Sequence, residues 1–132
     1  MDNTKSIEDI KKISIEARPE LDSFLNCNPI NPTIRKELEK QGVSVTEVTG
    51  TFSTRRSHVG GESHMFLKVD PENIHECTNP VIVDGALDQF CIDRFEAGEV
   101  FEQIGPKEDI PKVAVLQRKH ELYQYYYEEE TY

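Results

Sequence analysis

One cysteine, one histidine and one aspartate stand where their side chains would suit thiol chemistry. Cys27 precedes a predicted helix, His64 opens a predicted strand, and Asp84 closes a short apolar strand. A cysteine attacks as its thiolate, so a base must lie within hydrogen-bonding reach and a third group should orient that base. We therefore interpret Cys27 as the nucleophile, His64 as base and then acid, and Asp84 as the group that orients the imidazole.

The predicted elements around these residues indicate how they would meet. A helix with Ser6 or Thr4 as its cap begins the chain and ends near Pro19. Runs of β-branched and other apolar residues predict four strands, residues 43–52, 65–69, 81–83 and 113–116. If the second and third strands are antiparallel neighbours, His64 and Asp84 lie side by side at the sheet edge. A helix that packs its N-terminus over this edge then brings Cys27 within reach.

The helix that follows Cys27 has two candidate starting points. In the first, Asn31 is the N-cap and Pro32 the first helical residue. Cys27 then lies outside the first turn and gains little from the helix dipole, which fades within that turn. In the second, Asn28 is the cap and Pro29 comes first, which moves Cys27 closer. The sequence leaves both open, and either helix ends before Gly42.

The order of these features resembles small members of the papain-like and transglutaminase-like superfamily of cysteine acyl-transfer enzymes. Members share a cysteine that opens a helix, a histidine that opens a strand, and an aspartate that closes an apolar strand. The matching segments here are Cys27 with its helix, SHMFLKV (residues 63–69) and VIVDGALDQF (residues 81–90). The resemblance covers about half of the chain. One departure is the segment NPINP (residues 28–32), where the family usually has small or polar residues after its cysteine.

The resemblance implies an α+β fold, in which an antiparallel sheet packs against an N-terminal helical part within a single domain, residues 1–132. It also implies acyl transfer or hydrolysis on an amide-type substrate, a peptide or a glutamine, through Cys27, His64 and Asp84. Peptidase, deamidase and transglutaminase-like activities all fit, with a protein or peptide as the substrate and with no cofactor. Arylamine acetyltransferases are similar over the same segments, but their length and their cysteine motif are missing here.

Each candidate residue also has a plainer interpretation. The domain could keep the architecture and serve as a non-catalytic binding or accessory module. Asp88 replaces Asp84 as the third residue if the strand register differs, and a short helix would then expose it. Cys77 and Cys91 lack a base at a logical position and are interpreted as structural thiols. The C-terminal tyrosines predict a packing face with polar tips, and a protein-binding patch is the alternative.

Composition excludes several classes of partner and site. The 132 residues carry a formal charge of −10 and are 36% hydrophobic and 30% charged, which argues against nucleic acid as a partner. No apolar run approaches the roughly 20 residues of a membrane span, and the polar N-terminus lacks a signal-peptide centre, so we expect a cytoplasmic protein. His58, His64, His75 and Cys77 do not have zinc-ligand spacing, and no metal site is predicted. The oligomeric state stays open.

Overall fold

A computed structural model describes residues 5–21, 27–53, 62–75, 77–90 and 107–128 of the chain. Two α-helices come first, followed by five β-strands with short 3₁₀ turns between them. The helices and strands are α1 (Ile7–Ala17), α2 (Cys27–Lys40), β1 (Val45–Phe52), β2 (Glu62–Val69), β3 (Val81–Asp84), β4 (Ala114–Leu116) and β5 (Tyr126–Glu128).

Local signals account for the ends of both helices. Ser6 caps α1 and forms a capping box with Asp9, so each side chain satisfies a backbone N–H of the other residue. The chain leaves α2 through Gly42, whose φ of 87° lies in the left-handed region that glycine favours. The predicted Ser6 cap and the predicted end before Gly42 are therefore confirmed.

The five strands form one antiparallel sheet in the order β4-β3-β2-β1-β5. The predicted neighbour pair of second and third strands is confirmed, because Leu67 lies opposite Val83 and Val69 opposite Val81. The C-terminal segment combines a 3₁₀ turn with an edge strand. A 3₁₀ turn over Glu121–Tyr125 leads into β5, which pairs with the outer side of β1.

Apolar side chains cover both faces of the sheet. The helices pack on one face, where Ile34 and Leu38 of α2 join Val81 and Val83 of β3 in a continuous core. The other face carries a second core, rich in aromatic rings, with members Phe52, Phe66, Ile82, Leu87, Phe90, Ala114, Leu116, Leu122 and Tyr126. Because successive residues of a strand point to opposite faces, β3 contributes to both cores, as its wholly apolar sequence predicts.

Strand β5 can approach β1 closely because β1 has a glycine at the point of contact. A Cβ atom added to Gly50 would lie 2.0 Å from the carbonyl oxygen of Tyr127, which is backbone and cannot turn aside. Gly50 is also the residue opposite His64 in the β1–β2 register. Gly50 thus allows β5 to pair with β1 beside the residue that lies opposite His64.

The α+β class, with an antiparallel sheet packed against N-terminal helices, is confirmed. Over the part of the chain that the structure describes, no helix combines the length and the apolar character needed to cross a membrane.

Candidate functional site

Strand register brings His64 and Asp84 together. The β2–β3 ladder pairs Leu67 with Val83, so Asp84 comes next, beside Phe66, and His64 lies two residues further along β2 on the same face. His64 Nε2 lies 2.7 Å from Asp84 Oδ2, and both side chains are fully buried. Of the two aspartates that the sequence left open, Asp84 is the one that contacts the imidazole.

Four hydrogen-bond donors surround the Asp84 carboxylate. Oδ2 forms a hydrogen bond with His64 Nε2 and accepts another from the Tyr126 hydroxyl, each at 2.7 Å. Oδ1 accepts from the backbone N–H of Ala86 at 2.9 Å and from the Asn31 amide at 3.1 Å. A carboxylate has about four acceptor positions, so this one is fully satisfied as an anion. The bonds fix its plane and, through it, the His64 ring.

Aromatic side chains enclose the His64 ring. Phe90 meets it edge to face with the ring centroids 5.1 Å apart, and Phe66 stacks over it at 6.2 Å. The ring centroids of Phe52 and Tyr126 also lie near that of His64, at 6.3 and 6.1 Å. These rings exclude water from the imidazole and limit its rotation, and their π-faces favour a cation.

Cys27 is the first residue of α2, and a kink follows it. Asn28 has non-helical angles of φ −110° and ψ 65°, so the regular helix runs on from Pro29. The hypothesis that Asn31 is the N-cap is therefore wrong: Asn31 lies inside the helix, and its side chain is buried against the sheet. Proline is tolerated near a helix start, where backbone N–H groups lack helical partners, so NPINP does not break α2.

The Cys27 thiol lies close enough to the His64 ring and to the backbone of Met65 for both to act on its pKa, and the residue is half-buried. Burial alone would raise the pKa of the thiol, but the interactions with these two groups and the charge of His64 outweigh it and lower the pKa. Because His64 Nε2 faces Asp84, Nδ1 is the ring nitrogen that remains to face the sulfur. Cys27 is half-buried, whereas the side chains of His64 and Asp84 are fully buried.

The pKa of His64 is raised and the pKa of Asp84 is lowered, and each change favours the charged form of that group. Burial lowers the pKa of His64, but the charge and hydrogen bond of Asp84, helped by Cys27, raise it from 6.5 to about 9. Burial would raise the pKa of Asp84, yet the charge of His64 and the hydrogen bonds from His64, Tyr126 and Ala86 lower it. The lowered pKa of Cys27 and the raised pKa of His64 both favour transfer of the thiol proton to the imidazole beside the Asp84 carboxylate.

Two residues of this group were missed in the sequence. Asn31 lies four residues after Cys27, on the other side of the kink at Asn28. It is also a polar residue among the apolar positions Ile30, Ile34 and Leu38, which is a signal that the sequence offered. Tyr126 was predicted only as part of a packing face. It is buried, but its hydroxyl donates to Asp84, and nothing local in the sequence indicates that contact.

Other predicted features lie apart from this group or outside the described residues. Asp88 is buried, so its predicted exposure is wrong, because the 3₁₀ turn Leu87–Phe90 packs against the sheet. Cys77 donates its thiol to the Asn79 carbonyl at 3.0 Å. Cys91 and His58 fall outside the described residues. Among the residues that the structure does place, no three His, Cys, Asp or Glu side chains form a group that could hold a metal.

Comparison with known proteins leaves the geometry as the basis for assigning a function. The chain matches no family model, no curated protein and no solved structure.

Proposed function

We propose that the protein is a cysteine-dependent acyl-transfer enzyme or hydrolase that acts on an amide-type group, and that its fold is of the papain-like or transglutaminase-like kind. The observation that carries the proposal is the half-exposed Cys27 thiol against a buried His64 ring that Asp84 holds at 2.7 Å. A structural thiol needs neither a base nor a buried carboxylate behind that base. An activated nucleophile needs both.

The burial of each group suits its role in such a reaction. Cys27 faces solvent in part, so a carbonyl carbon can approach its sulfur. His64 and Asp84 are sealed from water, which strengthens their ion pair and holds the imidazole in one orientation. The Nε2 contact with Asp84 leaves Nδ1 to receive the thiol proton. The lowered pKa of Cys27 and the raised pKa of His64 favour this proton transfer.

In the reaction we propose, the Cys27 thiolate adds to the carbonyl carbon of an amide and the carbonyl electron pair moves to oxygen. As the tetrahedral adduct collapses, the C–N bond breaks and the His64 imidazolium gives its proton to the leaving nitrogen. The product is a thioester on Cys27 and a free amine. Neutral His64 then takes a proton from water or an acceptor amine, which attacks the thioester and restores the thiol.

Acylation of the thiol by a simple activated ester tests this proposal. With p-nitrophenyl acetate, we expect a burst of nitrophenolate equal to the amount of protein and an acetyl group on Cys27, found by peptide mapping. Cys77 is an internal control, since it is also half-buried and its thiol donates to the Asn79 carbonyl. At about pH 6.5 we expect Cys27 to acylate faster than Cys77, because His64 lowers the pKa of the Cys27 thiol and so raises its thiolate fraction.

Equal acylation rates at Cys27 and Cys77 would contradict the proposal and favour the alternative, a binding or accessory domain that retains the architecture. A Cys27→Ser variant should lose the burst while acetylation of Cys77 continues unchanged. Transfer and hydrolysis are separated by adding a primary amine to the acetylated protein. An acceptor site would release the acetyl group as an amide, and a hydrolase would release acetate at the same rate with or without the amine.

A further inference from the structure

We propose that Asn31 is a positioning residue whose carboxamide takes the place of a backbone rung between β2 and β3 and so fixes Cys27, His64 and Asp84 relative to one another. This role rests on the proposed function of the same site and adds a residue to it. The hydrogen bonds of Asn31 go to Met65, Asp84 and Gly85, so it would act on the thiol and the imidazole through these residues.

Strand β3 stops where the site begins. In the register of the ladder, Leu67 faces Val83, so the residue opposite Met65 would be Gly85. That rung is absent, since β3 ends at Asp84. The Asn31 amide fills the gap: its Nδ2 donates to the Met65 carbonyl at 2.9 Å, and its Oδ1 accepts from the Gly85 N–H at 2.8 Å. A carboxamide carries the same donor and acceptor pair as a peptide.

The two contacts decide the orientation of the amide. Only an oxygen can accept from the Gly85 N–H, so Oδ1 faces β3, and Nδ2 faces the Met65 carbonyl. The second Nδ2 hydrogen reaches Asp84 Oδ1 at 3.1 Å. One side chain of α2 is thereby joined to the strand of the histidine and to the carboxylate itself, and Asn31 is fully buried.

The same arrangement places the nucleophile. Cys27 and Asn31 lie on either side of the kink at Asn28, and both act on Met65. Asn31 Nδ2 donates to the Met65 carbonyl, and the Met65 backbone lies close enough to the Cys27 thiol to lower its pKa. Met65 directly follows His64, so the backbone that Asn31 of α2 contacts belongs to the residue next to His64. A helix anchored by Asn31 cannot slide along β2 without breaking both contacts.

Gly85 is held from its other side as well. Arg18, which ends α1, is buried and donates its Nε hydrogen to the Gly85 carbonyl at 2.7 Å. A Cβ atom on Gly85 would lie 2.6 Å from Ile34 and 2.7 Å from Ile30, so glycine is what lets α2 pack closely here. The chain after Asp84 is therefore fixed at both backbone polar groups of Gly85, and this keeps the Asn31 contact in place.

The role is tested by the pH profile of Cys27 alkylation in Asn31→Leu and Asn31→Ala. Leucine keeps the volume and removes the polar contacts, and alanine removes both. We expect the midpoint of the profile to rise by roughly one pH unit in each variant, because the Met65 peptide and Asp84 lose a fixed partner. Thr33→Ala is the matched control on the same helix. It removes an exposed hydrogen bond to the Pro29 carbonyl and should leave the midpoint unchanged.

Hydrogen exchange in the wild-type protein gives a second measurement that needs no variant. The Gly85 amide and the Asn31 side-chain N–H protons should exchange as slowly as the amides of the β2–β3 ladder, with Leu67 as the reference. In any folded variant of Asn31, the Gly85 amide should exchange roughly tenfold faster relative to Leu67, as loss of one hydrogen bond implies.

The outcomes separate this inference from the proposed function. Fast exchange at Gly85 and Asn31 in the wild type, or variants whose alkylation midpoint equals that of the wild type, would overturn the role of Asn31 while the proposed function stands. A wild-type midpoint at the free-thiol value of about 8.5 would instead remove the proposed function, and with it the reaction that Asn31 is held to serve.

Discussion

Asp84→Asn is expected to lower the pKa of His64 from about 9 to below 6.5 and to slow acyl transfer by about 10³- to 10⁴-fold. Asparagine keeps the shape but carries no charge. The carboxylate is what outweighs burial at His64, so burial then dominates and the ring becomes neutral. The amide can also present its nitrogen to His64 and favour the wrong tautomer, which leaves the thiol without a base.

An NMR titration of the His64 ring measures this change directly. Asp88→Asn is the matched control, because Asp88 is a second buried aspartate only four residues away and was the alternative third residue in the sequence. It should leave the titration of His64 where it is in the wild type. A His64 titration that responds to Asp88→Asn and ignores Asp84→Asn would contradict the assignment of Asp84.

Cys27→Ala is expected to make the free energy of unfolding fall as the pH rises from about 6 to about 9, by up to about 3 kcal/mol. The pKa of His64 in the folded wild type, about 9, exceeds its ordinary value of 6.5. Asp84 is the larger cause of this rise and Cys27 the smaller, so the variant should keep a raised pKa that lies below the wild-type value. The contribution of His64 to stability is therefore fully present below pH 6.5 and is lost as the pH rises through its folded pKa. In Cys27→Ala the thiolate is missing, so its own contribution to stability cannot offset the stability that His64 loses as it is deprotonated.

The wild type should show a flatter profile over the same range. The pKa of Cys27 is lowered, so the thiolate contributes stability that is present above the ordinary thiol pKa of 9.0 and is lost as the pH falls through its folded value. A proton that moves from sulfur to imidazole inside the protein leaves the number of bound protons unchanged. Urea unfolding of both proteins at several pH values measures the difference, and parallel profiles would contradict a coupled pair.

Features set by neighbouring residues were predictable from the sequence. The Ser6 cap depends on a residue three positions away, and the turn at Gly42 depends on the conformational freedom of one glycine. Antiparallel pairing of β2 with β3 follows from their short connection and apolar sequences. Once the strands are antiparallel neighbours, alternation along them places His64 near Asp84.

Contacts between distant elements were not predictable. Asn31 looked like a helix cap because an asparagine before a proline is typical of one, whereas the missing rung opposite Met65 makes it a bridge between strands. Tyr126 reaches Asp84 only because β5 pairs with β1 beside Gly50, a pairing between segments about 75 residues apart.

The rate of Cys27 alkylation by iodoacetamide across pH, read by peptide mapping, tests the central claim most directly. If His64 activates Cys27, the reaction midpoint lies well below the free-thiol value of about 8.5 and returns to that value in His64→Gln. Cys77, measured in the same samples, reports any general effect of the substitution. A wild-type midpoint near 8.5 that His64→Gln does not move would contradict the account.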